Sequence, residues 1–99
     1  MAKLKPIHPG EILREEFVVP LKLNGNKLAL ALRVAAPQVY DILSEKGGIS
    51  AEMAIRLGQF FNMSPEFWMN LQSQYELAVL RQTEEKKIRD EVQPMVVGA

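Results

Sequence analysis

Between Gly25 and Ser44 the apolar positions fall at Leu28, Leu32, Val34, Val39 and Ile42, and their spacing breaks once along the way. The i, i+4 step from Leu28 to Leu32 marks one helical face, and the i, i+3 step from Val39 to Ile42 marks a second. Val34 plugs the corner between them, and Ala29 lacks bulk where the two segments would cross. Two short helices joined by a tight turn are the layout of a helix-turn-helix, here over residues 25–44. The side chains left outward on the second segment are Pro37, Gln38, Tyr40, Asp41 and Ser44, a polar face of the kind that lies in a DNA major groove. Many all-α domains that never touch nucleic acid share this pattern, so the rest of the chain has to decide its use.

Helical spacing recurs on both sides of the motif. His8-Pro9-Gly10-Glu11 opens a helix: Pro9 suits a first-turn position because its missing N–H would be unpaired there, and Glu11 complements the exposed N–H groups. Ile12, Leu13, Phe17 and Val18 supply its apolar face, Arg14, Glu15 and Glu16 are read as outward, and Pro20 stops it soon after Val19. Asn24 is a good N-cap for the first helix of the motif, Arg33 falls in the turn, and the second helix is expected to open with Ala36 as cap and Pro37 at its first position. Glu45-Lys46-Gly47-Gly48 makes a flexible break. Ser50 then caps a helix through Phe61, with Met53, Leu57, Phe60 and Phe61 on one side, and Ser64-Pro65-Glu66 starts another with cap, proline and acid in sequence. Phe67, Trp68, Leu71, Tyr75, Ala78 and Leu80 continue it at helical spacings. The pattern therefore predicts an all-α fold of five helices in a single domain, with a core over residues 8–82. From Thr83 the chain is charged and weakly amphipathic, expected to fray or to extend with a partner, and the apolar Met95-Val96-Val97 follows Pro94.

Composition narrows the function classes. The chain has 99 residues, no cysteine and no run able to span a bilayer or act as a leader, which reads as a soluble, cytoplasmic protein without disulfides or thiolate metal sites. Twelve basic and twelve acidic residues cancel, which argues against strong non-specific binding to a polyanion. Their distribution is uneven. Residues 21–60 carry Lys22, Lys27, Arg33, Lys46 and Arg56 against Asp41, Glu45 and Glu52, a surplus of two positives, whereas residues 61–99 have a deficit of two. The one histidine, His8, lacks a second metal-ligating or nucleophilic partner in the sequence and is read as a cap or packing residue. No metal site, cofactor loop or catalytic motif is visible, and the aromatics around Phe60–Trp68 are at packing spacing, so an enzyme is disfavoured.

Several segments together resemble the HigA family of antitoxins, of the virulence-associated protein I type, within the lambda-repressor-like DNA-binding domains. They are His8-Pro9-Gly10-Glu11-Ile12-Leu13, the helix-turn-helix, Ile49-Ser50-Ala51-Glu52-Met53-Ala54-Ile55-Arg56-Leu57, Ser64-Pro65-Glu66-Phe67-Trp68-Met69-Asn70-Leu71-Gln72 and Tyr75-Glu76-Leu77. The resemblance implies a compact five-helix domain that dimerises, binds a palindromic operator in its own promoter, and sequesters a HigB-like toxin that cleaves messenger RNA on the ribosome. Two departures stand out: Glu45-Lys46-Gly47-Gly48 replaces a glycine followed by basic residues, and the recognition helix has no Lys or Arg. Base reading is then expected from Ala36, Pro37, Gln38, Tyr40 and Asp41, with Lys22, Asn26, Lys27, Arg33, Ser44 and Lys46 at phosphates. The alternative is a protein-only interaction module, or an orphan regulator, whose helix-turn-helix no longer holds operator DNA tightly.

Overall fold

Leu13, Leu28, Val39, Leu57 and Trp68, each from a different helical segment, are fully buried together and define the core. The computed structural model describes residues 5–98, and among these there is no strand. Helix α1 (Pro9–Ile12) runs directly into a π-helical segment, Leu13–Val18, and is followed by α2 (Gly25–Leu32), α3 (Ala36–Leu43), α4 (Ala51–Phe61), α5 (Pro65–Thr83) and α6 (Glu85–Glu91). Residues 1–4 and residue 99 lie outside the described residues.

Three of the helix starts follow from their caps. The side chains of Asn24, Ser50 and Ser64 accept from the backbone N–H of Lys27, Met53 and Glu66 respectively. Arg33 ends α2 in the left-handed conformation (φ 60°), where its N–H reaches back to carbonyls of Ala29 and Leu30. His8 is the cap of α1: it is only 4% exposed, and its Nδ1 accepts from Gly10 N at 2.8 Å.

Four expectations change. The first helix is not α-helical beyond Ile12; it widens so that Val19 N donates to Arg14 O, five residues back. The wider turn brings Leu13 and Val18, five apart in sequence, onto one buried face, which α-helical winding would separate. The cap of α3 is Ala35, placing Ala36 and Pro37 in the first turn. Arg14 does not look outward: its guanidinium donates to Leu43 O at 2.5 Å and to Glu45 Oε2 at 3.3 Å. Finally there are six α-helices among the described residues rather than five, because Glu84 breaks α5 and the charged stretch beyond it pairs along its own surface, Arg89 with Glu85 at 2.6 Å and Lys86 with Asp90 at 3.0 Å.

The recognition end of the fold is held tightly against its support. A Cβ on Gly10 would sit 1.8 Å from Ile42 O, so α1 can approach α3 as it does only with glycine there. Phe17, Phe61, Phe67 and Trp68 stack with ring centroids 4.8 to 6.5 Å apart and lock the π segment onto the α4–α5 joint. Phe60 and Phe67 nevertheless keep an exposed side.

Candidate nucleic-acid interface

Helix α3 buries Val39 and Ile42 and leaves Pro37, Gln38, Tyr40 and Asp41 exposed, so the two sides of this short helix separate core from surface. Ala36 is half-buried and packs against the core. Tyr40 leans toward the start of α2: its ring lies so close over Gly25 that a Cβ there would meet it at 2.5 Å. Gln38 and Asp41 turn the other way, toward the start of α4. With Gly47, Gly48 and Ser50 they line a groove of about 260 Å³, and Gln38 also lines a polar cleft of about 270 Å³ with Arg33, Ser50 and Arg56. The exposed face of α3 is thus a ridge with Tyr40 on one flank and amide and carboxylate groups on the other.

Among the described residues, the cations around this ridge are without acid partners, as are Lys5 and Lys87 away from it, whereas the arginines behind it and most cations of the C-terminal arm are paired. Arg14 is paired with Glu15 and Glu45, Arg56 with Glu52, and Arg81 and Arg89 with Glu85. Lys22, Lys27, Arg33 and Lys46 are exposed and form no ion pair among the described residues. Of the three acids in the same stretch, Glu45 is drawn back onto Arg14 and Glu52 onto Arg56, leaving Asp41 as the one exposed carboxylate on α3. The interface is therefore more basic than a count along residues 21–60 indicates, since the Arg14 that neutralises Glu45 lies 31 residues away. Ser44 is exposed and its hydroxyl donates back to Asp41 O at 3.4 Å; Asn26 is exposed in the first turn of α2.

Behind the ridge the residues are structural. Arg56 also donates to Leu32 O at 2.9 Å, closing the C-terminal end of α2. His8 lies edge-on to Tyr75, with centroids 4.7 Å apart. Burial pushes its pKa below the ordinary 6.5, and the nearby Arg14 pushes the same way, against the carboxylate of Glu45 and a hydrogen bond to the Gly47 backbone. Arg14 is the participant that sequence reasoning missed, because nothing local to it signals a partner in the loop after α3.

Comparison with known proteins decides the family. No family model matches the chain. The Pseudomonas aeruginosa antitoxin HigA, solved with the higBA promoter, is 53% identical over 92% of this chain and 99% of its own, with a TM-score of 0.89. The chain belongs to the HigA family of antitoxins. Antitoxin GraA in complex with its operator superposes on the HigA-family chain with a TM-score of 0.91, at 45% identity over 98% of both chains. Virulence-associated protein I of Dichelobacter nodosus is 40% identical over 81% of this chain and 74% of its own length. This is a family of antitoxins and transcriptional regulators rather than of enzymes. No helix among the described residues is long and apolar enough to cross a membrane.

Proposed function

We propose that this HigA-family protein is a cytoplasmic, dimeric antitoxin that represses its own operon by binding operator DNA in the promoter and neutralises an mRNA-cleaving, HigB-like toxin by direct contact. The observation that carries the DNA half is the exposed ridge of α3 flanked by four cations that no acid neutralises. In this reading α3 enters the major groove, with Gln38 offering its amide to adenine, Asp41 accepting from cytosine, and Tyr40 and Pro37 meeting thymine methyls. Lys22, Asn26, Lys27, Arg33, Ser44 and Lys46 hold phosphates and set the register.

The dimer half rests on the C-terminal arm. Leu77, Leu80 and Ile88 line an apolar groove with Arg81 and Glu85, and each of these aliphatic side chains is about half exposed. Helix α6 buries nothing, and seven residues are too few to hold a helix in water without packing. A second copy fits the groove, because Arg81, Glu85 and Arg89 on the same arm supply both signs of charge. Two-fold symmetry then requires half-sites about one helical turn, roughly 34 Å, apart.

Fluorescence anisotropy of the purified protein on its upstream promoter, beside an unrelated duplex of equal length and across a salt series, tests the reading. Tight, salt-sensitive binding to the promoter alone is expected. Gln38→Ala should cost about 1–3 kcal/mol on the promoter and blunt its preference, whereas Lys27→Ala should weaken both duplexes alike. Equal and feeble binding to both would leave the helix-turn-helix as scaffold and the protein as an interaction module only.

A further inference from the structure

The loop between α3 and α4 has a partner that the DNA reading does not use. Ile49 N–H donates to Gln72 Oε1 of α5 at 2.7 Å, across 23 residues of sequence. The same amide lies flat on Gly48: a Cβ there would fall 2.8 Å from Gln72 Nε2 and 2.9 Å from Oε1. At the other end of the loop, Lys46 N and Gly47 N both donate to Asp41 O, at 2.9 and 3.0 Å, and Glu45 takes the left-handed conformation (φ 65°) beside Arg14. The segment 44–49 is thus tied to α3 through the backbone of Lys46 and Gly47 and to α5 through Ile49, while the Lys46 side chain is exposed and unpaired among the described residues.

We propose that Gln72 is a positioning residue for DNA recognition: through Ile49 and Gly48 it fixes the loop that carries Lys46, and so sets where that cation meets the phosphate backbone beside α3. The proposal rests on the operator-binding reading above. Its physical basis is that a loop with two glycines has many conformations, and Lys46 contributes to binding only if few of them survive. Without the Gln72 oxygen the Ile49 N–H loses its acceptor, and the loop is held at one end only. Gln72 lies one helical turn and a half before Leu77, so the helix that fixes the loop is also the one that carries the proposed dimer seam.

The test uses the full chain with Gln72→Met, which keeps bulk and removes the acceptor, and Gly48→Ala, which displaces the amide from the loop side. Each is made alone and with Lys46→Ala, and anisotropy on promoter and control duplexes is paired with amide hydrogen exchange at Ile49. Either change should weaken promoter binding about tenfold, speed exchange at Ile49 by about the same factor, and cost less than about threefold once Lys46 is already alanine. Wild-type affinity in both single variants overturns the proposal. So does a full tenfold loss in the Lys46→Ala background, which would mean the fold at large had changed. If the wild-type protein itself does not prefer its promoter, operator reading fails and the positioning role falls with it, and accelerated exchange at Ile49 would then report only a structural tie.

Discussion

Every helical segment from α1 to the start of α5 buries at least one side chain, whereas the arm formed by the end of α5 from Leu77, α6 and the described residues after it buries none. The first region converges on Trp68, and the second extends away from it. That extension makes the molecule 58 Å long and 21 Å thin, with a radius of gyration of 17.2 Å where a compact chain of this size would have about 13 Å. The contrast teaches how the two parts are stabilised. The helix-turn-helix and its support hold themselves together by their own burial, while the arm has only surface ion pairs, worth at most about 0.5 kcal/mol each, and an apolar groove that water does not favour.

The largest effect should come from emptying the centre of the first region. Trp68→Ala removes a wholly buried indole that touches Phe17 and Phe67, and should cost about 3–5 kcal/mol, a large share of the stability of a small domain. Trp68→Phe should cost clearly less in the same denaturant titration, partly because the buried indole N–H has no hydrogen-bond partner among the described residues. Equal losses for the two would show that this N–H is satisfied in solution. In the arm the same kind of change should act on association instead. Leu80→Asp should leave the monomer's fold intact and weaken the dimer by about 2 kcal/mol or more counted over both protomers, roughly 30-fold in the dissociation constant seen by sedimentation. A drop in helix content at low concentration, with no change in association, would place Leu80 in the monomer's core and erase the distinction between the regions.

His8 gives a smaller effect, and one that depends on pH. Its burial and the nearby Arg14 lower its pKa, while Glu45 and the Gly47 backbone resist; the Tyr75 ring meets it edge-on. A lowered pKa in the folded state means that the unfolded chain takes up the proton first as pH falls. The contribution of neutral His8 is therefore fully present above about 6.5 and declines below it, as Nδ1 ceases to accept from Gly10. His8→Ala should cost about 1 kcal/mol at pH 8 through the lost cap, and should flatten the fall in stability between pH 7 and 5. A variant that keeps the wild-type slope would assign that slope to the carboxylates.

What could be read from the chain alone follows the range of each interaction. Asn24, Ser50 and Ser64 act on N–H groups two or three residues ahead, so their roles were visible in the sequence. So were the turn at Arg33 and the buried pair Val39 and Ile42, because turn and periodicity are local. The division of α3 into a Tyr40 flank over Gly25 and a Gln38 flank toward α4 needed the neighbouring helices in place. Arg14 with Glu45 and Gln72 with Ile49 span 31 and 23 residues, and neither pair has a spacing that would mark it. The π winding of Leu13–Val18 was hidden for a related reason: it satisfies burial of residues five apart, a constraint set by the helices around it.

The smallest effect is expected at the far end of the arm, and it is the one that would sharpen the contrast most. Met95, Val96 and Val97 are more than 80% exposed. Residues 93–98 have no regular secondary structure. Ending the chain at Val92 should therefore change the stability of the domain by less than about 0.5 kcal/mol. Dimerisation is the more telling readout. If truncation leaves association unchanged, the seam is confined to Leu77, Leu80 and Ile88, and the apolar tail has no part in it. A loss of association at unchanged stability would show that the tail packs on the second copy, and the arm would then be a region that acquires its core only from its partner.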